Sequence, residues 1–194
     1  MKIGVLTLQG AVSEHVEILE KLRVTAIPVK TCQEISEIDG LVIPGGESAT
    51  IGRLIQKFDL ETLIKERISQ GMPVFGTCAG MILLSKSIEG PDQFKLQVLD
   101  ITVVRNAFGR QIESKEVDLT VKGFDSPFHA IFIRAPIAKD LGQNVEVLSS
   151  VPKGVVFLKQ GNILVSAFHP ELGTDLRVHQ LFLDIINSYK QNRR

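Results

Sequence analysis

Two short segments, Gly76-Thr77-Cys78-Ala79-Gly80 and His169-Pro170-Glu171, contain the residue types that thiol acyl-transfer chemistry needs. The cysteine supplies a nucleophile, the histidine a base, and the carboxylate a group to orient that base. Each segment follows an apolar run that reads as a strand. Gly-x-Cys-x-Gly directly after a strand has the form of a nucleophile elbow, in which flanking glycines let the strand and the next helix approach closely. That helix would aim its N-terminal N–H groups at the sulfur and favour the thiolate. A buried, inert cysteine is the competing reading of the motif alone, because free Cys is among the most buried residue types. His169 and Glu171, two apart on an extended backbone, point to one side, so the carboxylate can lie beside the imidazole. Pro170, without an N–H, favours leaving the sheet at that point.

Two weaker motifs accompany these. In Pro44-Gly45-Gly46-Glu47-Ser48, a double glycine at a strand end permits the Gly46 N–H to face a site and to form an oxyanion hole with that of Ala79. A phosphate-binding turn and a plain tight turn compete with that reading. No lysine follows as in a P-loop, and no Gly-x-Gly-x-x-Gly is present. Arg105 and Arg134 each end an apolar run, a setting from which a guanidinium can grip a substrate carboxylate at two points, although most arginines are solvated surface charges. His15, His129 and His179 read as satisfied or solvated side chains. Cys32, within the polar Thr31-Cys32-Gln33-Glu34, reads as incidental.

Positioning these residues requires a sheet. Ile3–Leu8, Ala26–Val29, Gly40–Ile43 and Pro73–Gly76 read as strands, continuous in apolar character as expected of parallel strands buried on both faces. Between them Val12, Val16, Leu19 and Leu22, and later Leu54, Ile55, Leu63, Ile64 and Ile68, recur at helical spacing. Ala79–Ser87 reads as the helix after the elbow. The pattern then turns strand-rich, with candidates at Gln97–Val104, Val117–Lys122, Ala130–Arg134, Val145–Ser149, Gly154–Lys159 and Ile163–Phe168. A terminal amphipathic helix follows through Val178, Leu181, Phe182, Ile185, Ile186 and Tyr189. The expected fold is α/β: a doubly wound, mostly parallel, flavodoxin-like sheet with a small antiparallel annex, in one domain over residues 1–194. In such sheets sites form beyond the carboxyl ends of the strands, where Gln9-Gly10, Gly45-Gly46-Glu47, Cys78 and His169 would all fall.

Bulk properties narrow the function classes. Among 194 residues, 22 Lys and Arg balance 22 Asp and Glu, and no basic run precedes the terminal Arg193-Arg194. Nucleic acid and anionic membranes are therefore not expected as partners. No apolar stretch has membrane-spanning length, and the opening Met1-Lys2 strand pattern does not make a signal peptide. Two cysteines suggest no disulfide framework, and a free reactive thiol suits the cytoplasm.

At this point the motifs resemble a known family. Leu8-Gln9-Gly10-Ala11-Val12-Ser13-Glu14-His15, Pro44–Ser48, Gly76–Gly80, Arg105-Asn106-Ala107-Phe108-Gly109-Arg110-Gln111 and Phe168–Leu172 are similar to the triad-type (class I) glutamine amidotransferases. Within that family they resemble the glutaminase subunits of pyridoxal 5′-phosphate synthases, over essentially the whole chain. The resemblance implies hydrolysis of L-glutamine to glutamate and ammonia, with Cys78 as nucleophile, His169 as general base then acid, and Glu171 as orienting carboxylate. It implies glutamine binding by Gly46, Glu47, Ser48, Arg105, Ile133 and Arg134, and an oxyanion hole at Gly46 and Ala79, with no metal and no cofactor. It further implies a (β/α)8-barrel synthase subunit as partner, whose docking arranges the oxyanion loop. Ala49, Ala107 and Gly173 depart from the expected pattern.

Three other functions remain open on the sequence: a glutaminase serving another synthase, such as imidazole glycerol phosphate synthase; a cysteine peptidase or chaperone-like hydrolase on a similar fold; and a non-catalytic docking subunit.

Overall fold

The computed structural model describes residues 1–107 and 114–191. The Phe108–Gln111 part of the Arg105–Gln111 motif lies outside the described residues, as does the terminal Arg193-Arg194.

The chain opens with β1 (Lys2–Leu6), α1 (Val12–Lys21), β2 (Thr25–Val29), α2 (Cys32–Ser36) and β3 (Gly40–Ile43). It continues through α3 (Ser48–Lys57), α4 (Glu61–Ser69), β4 (Val74–Thr77), α5 (Ala79–Leu84) and β5 (Ser85–Glu89). The strand-rich section holds β6 (Leu99–Val104), β7 (Ser114–Leu119), β8 (Phe128–Ile133), β9 (Ile137–Lys139), β10 (Glu146–Val151), β11 (Gly154–Gln160) and β12 (Ile163–Ser166). A 3₁₀ turn at Pro170–Leu172 and α6 (Arg177–Gln191) close the chain.

Among the described residues the main sheet runs β2-β1-β3-β4-β12-β11-β9-β6-β5, with β10 paired to β11. The first five strands are mutually parallel, which gives the flavodoxin-type order when β12 is counted fifth. β11 is antiparallel to β12, β10 and β9, and β9 to β6, so the sheet extends as a mixed half. β7 and β8 form a separate antiparallel hairpin. Pro28 sits in β2, an edge strand, where a missing N–H costs no ladder bond. No described helix is long and apolar enough to cross a membrane.

Three elements differ from the sequence-based expectation. The helix expected over Ala79–Ser87 stops at Leu84, and Ser85–Glu89 instead pairs parallel with β6. The serines at 85 and 87 are weak helix formers, and pairing with β6 decides the conformation. β9 is only three residues long and escapes a periodicity reading. α2 is held by a capping box in which the Thr31 side chain accepts from the Glu34 N–H and Glu34 accepts from the Thr31 N–H, a signal that spacing of apolar residues does not carry.

The core on the site's side of the sheet is aromatic. The Phe168 ring is fully buried, 5.5 Å from those of Phe128 and Phe157 and 5.7 Å from that of Phe132. Phe168 thus clamps the segment leading to His169 between the hairpin and β11. Phe168→Ala is expected to lower the unfolding free energy by about 3–5 kcal/mol, against under ~0.5 kcal/mol for exposed Phe58→Ala. Urea unfolding of the two variants measures the difference.

Candidate active site

Because β1, β3, β4 and β12 are parallel, the segments after them emerge on one rim. β1 leads to Gln9-Gly10, β3 to Gly45-Gly46, β4 to Cys78 and β12 to His169. The strand order reverses beside β1, and the first two segments flank that switch point, where open α/β sheets place their ligands. The two are stitched together: the Ala11 N–H donates to the Gly45 carbonyl at 3.1 Å, and the Glu47 N–H to Gln9 Oε1 at 2.7 Å.

Cys78 stands between β4 and α5 with φ 46° and ψ −96°, a strained backbone for a non-glycine residue, costing about 1–3 kcal/mol. Its surroundings over-determine that conformation. The Cys78 N–H donates to the Ser166 carbonyl at 2.7 Å. A Cβ at Gly80 would run into the Ile43 carbonyl oxygen, and one at Gly76 would meet Gly80 backbone at 2.8 Å. The two glycines of the elbow are therefore required by close backbone approach. Cys78 is 8% exposed, so its sulfur meets the cleft without being open to bulk water.

His169 is anchored on both sides. Its N–H donates to the Ile131 carbonyl of β8 at 2.8 Å, and its ring Nδ1 lies 2.7 Å from Glu171 Oε1. The route to that contact is not the extended backbone that spacing suggested: Pro170–Leu172 is a 3₁₀ turn, and Glu171 folds back from it beneath the imidazole. With Nδ1 engaged, Nε2 is left for the cleft that Cys78 also lines. Burial alone would lower the His169 pKa, but Cys78 and Glu171 outweigh it and raise the value to about 10. His169 is therefore a cation at neutral pH, held between a sulfur and a carboxylate.

The structure brings the other residues singled out in the sequence to the same cleft, of about 190 Å³. Gly46, Glu47 and Ser48 form one wall, and Arg105, Ile133 and Arg134 the other. The Ile133 carbonyl lies 3.8 Å from Cys78 Sγ. Arg134 has φ 44° and donates to Glu47 Oε1 at 3.0 Å, an exposed ion pair across the mouth, of little worth to stability. Ala79 is the first residue of α5, so its N–H has no partner within the helix. Around Gly46, the N–H groups of both neighbours are engaged, Gly45 with Thr77 Oγ1 and Glu47 with Gln9. Gly45 also has no room for a side chain, since a Cβ there would strike the His169 ring.

Sequence reasoning missed three participants. Gln93 takes the Arg105 Nη1 donor at 3.0 Å and bonds the Ser48 hydroxyl at 2.9 Å, bridging the two walls from a loop with no periodic signal. His15 and His179 are fully buried beneath Glu171. His15 Nδ1 lies 3.0 Å from His179 Nε2, and His15 Nε2 lies 3.2 Å from Thr77 Oγ1 and 3.5 Å from Glu171 Oε2. His129, by contrast, is exposed between Asp118 and Glu116, and the first of these leads in raising its pKa. Among the described residues no group of His, Cys, Asp and Glu side chains is arranged to hold a metal ion.

Comparison with known proteins agrees over nearly the full length. The profile of the SNO glutamine amidotransferase family matches residues 5–188. Pyridoxal 5′-phosphate synthase subunit PdxT of Thermotoga petrophila is 53% identical over 188 residues, 96% of this chain and 100% of that protein. The same-named subunit of Brevibacillus brevis is 48% identical over 190 residues, 98% of this chain and 100% of that protein. A crystal structure described as a glutamine amidotransferase superposes with a TM-score of 0.91 at 45% identity, covering 95% of this chain and 98% of that one. PurLQS of Thermotoga maritima, at 16% identity and a TM-score of 0.66 over 94% of this chain and 97% of that one, shares the fold alone.

The buried imidazoles set a pH dependence. Burial, then His179 and His169, push the His15 pKa well below its ordinary value, and burial pushes that of His179 to about 3. Below about pH 6.5 the unfolded chain takes up protons at both positions and the folded chain does not. Stability therefore falls on acidification, by about 1.4 kcal/mol per pH unit for each histidine. His129 and His169, with raised pKa values, are charged in both states there and add no slope. Carboxylates held low, such as Asp39 and Asp175, enter only near pH 4. Urea unfolding at about pH 6.5, 5.5 and 4.5 is expected to show this decline; a flat profile would mean the pair is charged in the fold.

Proposed function

The chain belongs to the SNO glutamine amidotransferase family, and from that membership we propose that it is the glutaminase subunit of a pyridoxal 5′-phosphate synthase. The observation that carries this reading is the strained Cys78 elbow in one cleft with His169, whose Nδ1 lies 2.7 Å from Glu171. Relatives that bear the synthase-subunit name over 96–98% of this chain support the choice of branch.

In the reaction, Cys78 Sγ attacks the side-chain amide carbon of L-glutamine, and the carbonyl oxygen takes up negative charge. The N–H groups of Gly46 and Ala79 stabilise that oxyanion. Collapse breaks the C–N bond, and His169 gives its proton to the departing nitrogen, leaving a glutamyl thioester and ammonia. His169, now neutral, takes a proton from water, which attacks the thioester and releases glutamate. Collapse of that second adduct expels Cys78 Sγ, His169 keeps the proton taken from water, and the cycle closes. Glu171 keeps the imidazole oriented throughout and offsets its charge. Gly46, Glu47, Ser48, Arg105, Ile133 and Arg134 hold the substrate, with a guanidinium on its α-carboxylate.

Ammonia released into neutral water becomes unreactive ammonium, so it must pass within an assembly. The acceptor in this reading is a (β/α)8-barrel synthase subunit that builds pyridoxal 5′-phosphate, docked on the rim where the glycine loop is exposed. Nucleic acid and membrane have no part in it. The protein is cytoplasmic in this reading, one amidotransferase domain over residues 1–194.

Glutamate release from L-glutamine, measured with and without the synthase subunit, is expected to be slow alone and strongly stimulated by the partner. Activity indifferent to that partner would reassign the acceptor, and no activity in either condition would favour a docking role. Cys78→Ala should lower kcat by about 10⁴-fold or more while glutamine still binds; wild-type turnover in that variant sinks the assignment. Gln9→Ala removes the acceptor for the Glu47 N–H and should reduce stimulated turnover about tenfold. Unchanged stimulation would take Gln9 out of the oxyanion loop's control.

A further inference from the structure

Glu171 Oε1 is matched by His169, but Glu171 Oε2 is fully buried and makes no hydrogen bond. A buried carboxylate oxygen without a donor is costly, by more than a neutral acceptor would be. The ionisable nitrogens within ion-pair distance of this carboxylate belong to His169 and to His15, whose Nε2 stands 3.5 Å from Oε2. His15 comes from α1, seven residues past Leu8, and stands by the oxygen that His169 does not engage. Its Nε2 also faces Thr77 Oγ1, which already accepts the Gly45 N–H at 2.9 Å.

The proton arrangement in this cluster has two solutions. In the first, Thr77 donates to His15 Nε2 and His15 Nδ1–H donates to His179 Nε2. That leaves an unpaired N–H at His179 Nδ1, which has no partner, and turns the lone pair of His15 toward a carboxylate oxygen. In the second, His179 Nε2–H donates to His15 Nδ1, and His15 Nε2–H points at Thr77 Oγ1 and Glu171 Oε2. A neutral nitrogen lone pair of His179 and the Thr77 O–H are then left unpaired; each solution orphans one donor, but only the first also leaves the carboxylate oxygen unmet and facing a lone pair. Burial and the neighbouring imidazoles keep His15 neutral, so one ring proton must be placed and the second solution places it.

We propose that His15, set in its Nε2–H tautomer by His179, is a positioning residue for the reaction: it holds the far oxygen of Glu171 and, through the Thr77 hydroxyl, the Gly45 end of the oxyanion loop. His15 thereby joins the two halves of the site that must be in register, the carboxylate behind the base and the glycine loop facing the oxyanion. The inference rests on the glutaminase reading for its kinetic consequence but not for its tautomer.

Two measurements test it. In uniformly ¹⁵N-histidine-labelled protein, the long-range ¹⁵N–¹H pattern of His15, identified by its loss in His15→Gln, should be that of the neutral Nε2–H tautomer across neutral pH. A neutral Nδ1–H tautomer or a charged ring overturns the proposal whether or not the protein hydrolyses glutamine. Glutamate release with the synthase subunit present, expressed per Cys78 titrated by a thiol-reactive glutamine analogue, gives the second. His15→Phe should lower kcat between about 10- and 100-fold with KM little changed. His15→Gln, whose amide N–H₂ can occupy the Nε2 position, should recover most of that loss. Equal losses in both variants, or none in either, overturn the positioning role. Wild-type protein without glutaminase activity would defeat the functional reading instead, and the tautomer measurement would still decide this one. It does so too if His15→Phe fails to fold.

Discussion

The rim of this sheet is organised around one buried negative charge. Glu171 sits out of water with its side chain fully covered, and a carboxylate so placed must be met by donors from the protein. His169 meets one oxygen, which with Cys78 keeps it cationic. His15 approaches the other, and His179 fixes His15. Each of these groups comes from a different part of the chain: the 3₁₀ turn after β12, α1, and α6. The charge can therefore persist only in the assembled fold, and its position dictates that of the imidazole facing Cys78.

The elbow obeys a second constraint, that of backbone proximity. β4 enters, turns at Cys78 through a left-handed conformation, and leaves as a six-residue helix. Gly76 and Gly80 pack backbone on backbone, against each other and against the end of β3. Thr77 between them turns its hydroxyl toward both the Gly45 N–H and His15. The strained residue is thus surrounded by contacts that exist for other reasons, which is how such strain is kept. β8 adds a lateral support that the parallel strands cannot provide. Its Ile131 carbonyl takes the His169 N–H, and its Ile133 carbonyl lies against Sγ.

The cleft walls are held more loosely. The Arg134–Glu47 pair is exposed on both sides and the Arg105–Gln93–Ser48 chain is only partly buried. This contrast is one of a buried floor of Cys78, His169 and Glu171 under more exposed walls linked by a few polar contacts. Three of the non-glycine residues with left-handed backbones, Cys78, Asn106 and Arg134, line this one cleft.

Much of this was legible in the sequence because it is local. Buried parallel strands announce themselves as continuous apolar runs, the elbow as Gly-x-Cys-x-Gly, and the base with its carboxylate as His-Pro-Glu. Those features depend on neighbours within a few residues, so composition and spacing suffice to locate them and to suggest the α/β class. The three-residue β9, the strand that replaces the end of the elbow helix, and the 3₁₀ turn that brings Glu171 under His169 were decided by tertiary structure, since pairing and burial there override local preference. So were the roles of His15, His179 and Gln93. Apart from His169 with Glu171 and Gly76 with Gly80, most of the contacts that matter at the site join residues dozens to over a hundred positions apart, such as His15 with His179 and Cys78 with Ile133. The sequence by itself determined which residues could react and which strands would carry them. Only the folded sheet decided which of the four histidines share one buried charge, because burial and distance are properties of the assembled chain and not of any segment of it.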